Sequence, residues 1–96
     1  MRIEFENTNG ELTVAIDGRL DTVTAPELEC FLAKQYAEAT HLTFDCRRLA
    51  YVSSAGLRVL LTAHKKMKGR MKLTGVSELV MEVLEVTGFA DIWVIA

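Results

Sequence analysis

Hydrophobic residues in this chain recur with two different periods, and the switches between them set the order of its elements. Ile3 and Phe5 alternate with Arg2, Glu4 and Glu6, and Leu12, Val14 and Ile16 alternate with Glu11, Thr13 and Asp17. A period of two places apolar side chains on one face of a strand. Asn9-Gly10 lies between the two runs. Both residue types tolerate the positive φ that a tight turn requires, so the chain is expected to open with an antiparallel β-hairpin.

Beyond Gly18 the period lengthens to three and four. Thr24 before Ala25-Pro26-Glu27 combines a capping hydroxyl, an early proline and a glutamate three positions on, which predicts a helix start. That helix runs to about Ala39, with Leu28, Phe31, Leu32 and Tyr36 facing the core and Glu27, Glu29, Lys34 and Glu38 facing water. Leu42, Phe44 and Cys46 predict a short strand, followed by a charged turn at Asp45 to Arg48 and the apolar run Leu49-Ala50-Tyr51-Val52.

A second helix follows that run directly. Leu57, Leu60, Leu61 and His64 mark its inner face, Lys65, Lys66 and Lys68 fall in its last turn, where positive charge suits exposed carbonyls, and Gly69 can close it in the left-handed conformation. Met71, Leu73 and Thr74 predict another strand. Ser77 then caps a third helix whose Val80, Val83 and Leu84 face inward, with Val76 placed to staple Met81 and Gly88 as its stop. The apolar tail Ile92 to Ile95 reads as a last strand buried on more than one side.

Strand-helix-strand crossovers require parallel neighbours. The expected fold is therefore α/β: one domain over residues 1–96, an N-terminal β-hairpin leading into a mixed sheet of about five strands with three helices packed on one face. Ninety-six residues, 50% of them hydrophobic, suffice for one small core.

The remaining composition excludes several function classes. A formal net charge of -2 with 25% charged residues offers no field for gathering nucleic acid. No apolar stretch of about 18 residues occurs, and Met1 to Asn7 lacks the apolar run of a signal peptide, so a cytoplasmic location without direct membrane insertion is expected. Cys30 and Cys46 form no C-x-x-C pair and read as small apolar residues. His41 and His64 have no partner at ligand spacing on a shared helix face, and no glycine-rich phosphate loop is present, so neither metal nor cofactor is expected.

Two segments could carry function. In Tyr51-Val52-Ser53-Ser54-Ala55-Gly56-Leu57-Arg58, two hydroxyls and a glycine stand where an apolar run becomes a helix. One reading is an N-cap, with Ser53 or Ser54 accepting a free backbone N–H for about 1 kcal/mol. A nucleophile elbow needs G-x-S-x-G; Val52 occupies the first glycine position relative to Ser54, and neither histidine is placed as a base, so hydrolysis is not expected. A third reading is regulatory: an exposed serine at a helix start is open to a kinase, and a phosphate there adds nearly two negative charges. The second segment, Gly18-Arg19-Leu20-Asp21-Thr22, is a polar break in which Asp21 organises a turn with Thr22, orients a neighbouring serine hydroxyl, or offers a partner kinase an acidic contact.

Together these segments resemble the STAS domain family, in particular its stand-alone anti-sigma factor antagonists. The resemblance rests on Gly18 to Thr22 before Thr24-Ala25-Pro26-Glu27-Leu28, on Ser53 to Leu61, and on Leu84-Glu85-Val86-Thr87-Gly88-Phe89. It implies a non-enzymatic domain that binds an anti-sigma factor, itself a serine kinase of the GHKL type, and is released when phosphorylated, with a phosphatase to reset it. Against the family's Asp-Ser-Ser-Gly-Leu pattern the phosphorylated residue falls on Ser54, with Ser53 the second candidate. Ser53 replaces the family's aspartate and Ala55 its second serine, whereas Asp21 matches the family's other acidic position. Asp21, Thr22, Ser53, Ser54, Gly56, Leu57 and Arg58 are the implied partner-binding residues, Leu57 and Arg58 being expected on an exposed first turn. The same resemblance allows a fixed cytoplasmic subunit of a transporter or a stress-sensing complex.

Overall fold

Asn9 and Gly10 both take positive φ, 53° and 90°, in the computed structural model, which describes residues 1–96. They close a two-residue turn between β1 (Arg2–Thr8) and β2 (Glu11–Leu20), which pair antiparallel from Thr8 opposite Glu11 to Arg2 opposite Asp17. The expected hairpin is present, in the turn geometry that the right-handed twist of the strands favours.

The ten-residue β2 then serves two parallel neighbours. Its first half pairs with β3 (His41–Asp45), Glu11 opposite His41 through Ala15 opposite Asp45, and its last residues pair with β4 (Leu49–Val52), Leu20 standing opposite Val52. The change of partner occurs at an irregularity between Gly18 and Arg19, where Gly18 has φ 108°. Only glycine enters that region without strain. β5 (Met71–Thr74) continues the sheet beside β3, and β6 (Val94–Ile95) closes it, giving the order β1-β2-β3-β5-β6 with β4 on β2 alone.

Register decides where the core lies. Leu12, Leu42 and Met71 stand side by side across the sheet, as do Val14, Phe44 and Leu73, and all six are buried. The alternate row, Thr13, Thr43 and Lys72, lies on the opposite face, where none is buried. Helices α1 (Ala25–Gln35), α2 (Ser54–Lys66) and α3 (Glu78–Thr87) supply Leu28, Leu32, Leu60, Ala63, Val80 and Leu84 to the same buried cluster, so they cover the leucine-bearing face. Each such leucine contributes about 1.5–3 kcal/mol through its burial.

Several expectations need correction. The sheet has six strands, one more than the pattern suggested, because Leu49–Val52 pairs with the end of β2 instead of merely leading into α2. α1 ends at Gln35 and a 3₁₀ turn, Tyr36–Glu38, completes the run toward Ala39. Thr24 makes no side-chain cap; at φ -94° and ψ -21° it is already helical, and its hydroxyl turns back into the preceding loop. α2 ends at Lys66, so Lys68 lies beyond its last turn and, like Gly69, takes a left-handed conformation. The last strand is short, since Phe89–Asp91 forms a 3₁₀ turn and β6 is a sheet edge; only Trp93 of that apolar tail is buried, stacked on Phe89 at 4.6 Å. Cys30 lies exposed on α1, while Cys46 is buried as expected. Ser77 does cap α3, accepting the Val80 N–H at 3.2 Å, and Gly88 at φ 85° stops it.

Candidate functional site

Parallel strands end on the same edge, and Leu20 opposite Val52 brings the ends of β2 and β4 level. The Asp21–Thr24 loop and the start of α2 therefore leave the sheet side by side. The Ser53 N–H donates to the Leu20 carbonyl at 2.9 Å, tying the two segments together.

The two adjacent serines have different tasks. Ser53 is extended, φ -97° and ψ 176°, and its Oγ accepts the Gly56 N–H at 3.5 Å while its carbonyl accepts the Leu57 N–H at 2.9 Å. It is the N-cap. Ser54 is the first helical residue and exposed, and its hydroxyl takes part in no hydrogen bond within the chain. The amides of Ser54 and Ala55 also lack a partner within the chain. These free donors sit at the positive end of the α2 dipole, an environment that accommodates an anion.

Gly56 is required by close approach. A Cβ there would stand 2.7 Å from Leu20 Cγ, 2.8 Å from the Leu20 carbonyl oxygen and 2.9 Å from Val52 Cγ2. The absence of that carbon lets the first turn of α2 settle onto β2 and β4. Leu57 is 5% exposed and belongs to the core, which bears out its expected place on the inner face with Leu60 and overturns its expected exposure on the first turn. Gly56 and Leu57 therefore shape the helix start from beneath. Arg58 is exposed and in no ion pair, one turn beyond Ser54 on the same side of the helix.

Asp21 organises its own loop. Its Oδ1 accepts the Val23 N–H at 3.0 Å and the Thr24 N–H at 3.2 Å, while the Thr24 hydroxyl donates to the Arg19 carbonyl at 2.7 Å and accepts the Asp21 N–H at 2.9 Å. The Thr24 amide foremost, with help from the Val23 amide, the Thr24 hydroxyl and Arg19 at 3.7 Å, holds the Asp21 carboxyl below its usual pKa despite partial desolvation. The carboxylate bonds no serine hydroxyl, so the expected turn-forming role is present and the serine-orienting one is not.

This bracing presents residues that sequence patterning passed over. Beside Thr22, an expected contact that is exposed, stands Val23, which was not expected and has 85% of its surface in water. An apolar residue in a polar strand-to-helix break was the available signal. Arg19 stacks over the Tyr51 ring at 4.2 Å, a contact set by their pairing across β2 and β4. It is visible only once the β2–β4 register is known.

His41 begins β3 at the opposite end of the sheet and His64 lies in the last turn of α2, so neither joins Ser54 in a nucleophile–base pair. No three His, Cys, Asp or Glu side chains come together. Two surface grooves, of about 460 and 390 Å³, are lined by residues from other parts of the fold, and none of Ser53 to Arg58 borders them. No helix is long and apolar enough to cross a membrane.

Comparison with known proteins places this geometry in context. The family model described as the STAS domain matches residues 2–96. BtrV of Bordetella bronchiseptica, a candidate anti-sigma factor antagonist, is 33% identical over 100 residues, covering 100% of this chain and 86% of that protein. The anti-sigma-B factor antagonist of Listeria monocytogenes is 30% identical over 91 residues, covering 91% and 80%. Among solved structures, an anti-sigma factor antagonist from Mycobacterium paratuberculosis superposes with TM-score 0.87 at 22% identity, covering 98% of this chain and 83% of that one. Unphosphorylated SpoIIAA does so with TM-score 0.80 at 17% identity, covering 99% and 87%. At these identities the structural likeness speaks for the fold alone.

Proposed function

The chain belongs to the STAS domain family, and on that footing we propose that it is an anti-sigma factor antagonist, a non-enzymatic binding switch whose on-state is set by Ser54. The relatives' role supports the class of activity. The single observation that carries the switch is the state of Ser54: exposed, free of internal hydrogen bonds, and first in a helix whose leading amides have no partner.

In this reading the unmodified surface of Asp21, Thr22, Val23, Ser54 and Arg58 docks an anti-sigma factor that is also a serine kinase of the GHKL type. Transfer forms a bond between Ser54 Oγ and the γ-phosphorus of the kinase's ATP, breaks the bond to ADP, and gives the hydroxyl proton to the kinase. The product carries roughly 1.5 to 2 added negative charges at neutral pH. The helix N-terminus stabilises that group, so the domain stays folded, while the docked surface loses its fit and its charge balance. Hydrolysis by a phosphatase restores the hydroxyl. The cycle runs at the cytoplasmic site where transcription is controlled.

The test uses wild type, Ser54→Ala and Ser54→Asp as baits in lysate of the source organism, with bound proteins identified by mass spectrometry. A GHKL-type serine kinase should bind the first two and not the third, and incubation of that kinase with wild type and ATP should place phosphate on the peptide containing Ser54. Equal retention of one partner by all three baits, or capture of a transporter subunit, would replace the switch with a fixed docking role.

A further inference from the structure

α3 is apolar on more of its circumference than its packing uses. Val80 and Leu84 face the core and are buried, yet Leu79 and Val86 are 56% and 82% exposed, with half-buried Val83 on their core-facing side. At about 100° per residue these three fall within roughly 60° of one another, a continuous stripe beside the buried face. Glu78, Glu82 and Glu85, all exposed, flank it on the side away from the core, and α3 carries no lysine or arginine. An apolar stripe edged by charge of one sign is the pattern of a helix-binding face rather than of a solvated one.

From this we infer that the outer face of α3 is a second docking surface, for an amphipathic helix of a partner protein whose apolar stripe is flanked by lysine or arginine. Charge selects this occupant. Two copies of α3 laid against each other would oppose their own glutamates. The basic end of α2 in a second copy offers Lys65, Lys66 and Lys68, but its one apolar residue there, Met67, is buried. An anionic membrane surface would be repelled by the glutamates. A basic helix satisfies both the stripe and its edge. The surface does not depend on Ser54, so it can hold a partner in both states of the proposed switch.

The experiment titrates a synthetic 18-residue peptide, leucine at every third or fourth position with lysine beside it, into ¹⁵N-labelled protein. The controls are a scrambled peptide of equal composition and one with glutamate for lysine. Shifts should be confined to residues 78–87 and their packing neighbours, with neither control binding. Leu79→Gln with Val86→Gln, and separately Glu82→Lys with Glu85→Lys, should each weaken binding at least tenfold while keeping a folded spectrum, and Ser54→Asp should bind as wild type. Equal binding by the scrambled peptide or by either α3 variant, shifts centred on Ser54, loss of binding in Ser54→Asp, or concentration-dependent self-association through α3 would overturn the inference.

Discussion

Gly56 lies so close to Leu20 that a single added carbon would stand 2.7 Å from the leucine Cγ and 2.8 Å from its carbonyl oxygen. The side-chain atom could move; the carbonyl cannot, because it already accepts the Ser53 N–H at 2.9 Å. Gly56→Ala should therefore destabilise the fold although alanine is the better helix former. Overpacking costs about 1–3 kcal/mol, and alanine's propensity returns at most about 1 kcal/mol. A net loss of up to about 2 kcal/mol is expected in urea unfolding. Stability equal to or above wild type would show that α2 shifts freely over β2.

The division of labour between the two serines predicts opposite mutational behaviour. Ser53→Ala removes a cap whose hydrogen bond is long at 3.5 Å, so the loss should fall near the low end of the usual range, about 0.5–1 kcal/mol. Ser54→Ala removes a hydroxyl that holds nothing and should leave stability within about 0.5 kcal/mol of wild type. Ser54→Asp places a negative charge over free amides and should hold or raise stability by about 0.3–1 kcal/mol at low salt. Thermal unfolding of the three variants at low and high salt checks the order, and an aspartate variant less stable than the alanine variant would contradict it.

The different legibility of these features has physical causes. Asn9-Gly10 announced its turn because few residue pairs accept two positive φ angles. Ser77 and Gly88 announced the ends of α3 for similarly local reasons. β4 was harder to separate, since a four-residue apolar run reads equally as a strand or a helix approach until β2 is seen to extend past β3 to meet it. At the start of α2, the sequence singles out both serines by their place in the chain, but the difference between Ser53 and Ser54 needs the backbone angles and hydrogen bonds. For Leu57 the helical period with Leu60, which predicts burial, prevails over the motif resemblance, which predicts an exposed contact. Arg19 over Tyr51 depends on a long-range register that no local pattern encodes.

Asp21 should make the protein sensitive to acid with a definite sign. Its carboxyl titrates below the unfolded value of about 3.9 because amides of Thr24 and Val23 donate to the ionised form. The folded state thus favours ionised Asp21, so its contribution is fully present above the unfolded pKa and is lost as pH falls through the lower folded pKa. Unfolding followed from pH 7 to pH 3 should steepen below about pH 4, less so in Asp21→Ala. Asp45, held below its usual pKa chiefly by Arg47 at 2.8 Å, adds a slope of the same sign. A carboxyl titration of Asp21 centred at or above the ordinary value would refute this account.

The two cysteines provide a built-in contrast between surface and core. Cys30 is exposed on α1, whereas Cys46 is buried just beyond β3, directs its thiol toward the Phe44 carbonyl at 3.6 Å, and has its pKa pushed up to about 12, mainly by burial. The reactive species is the thiolate. At pH 8 under native conditions a maleimide or iodoacetamide should label Cys30 alone, and Cys46 should react only as fast as the fold opens. Mass spectrometry of timed labelling in rising urea should then show a second adduct appearing along the unfolding curve. Gly56→Ala should bring that adduct forward if it lowers stability as argued above. Labelling of Cys46 at the rate of Cys30 in native buffer would mean that the region around β3 opens without global unfolding.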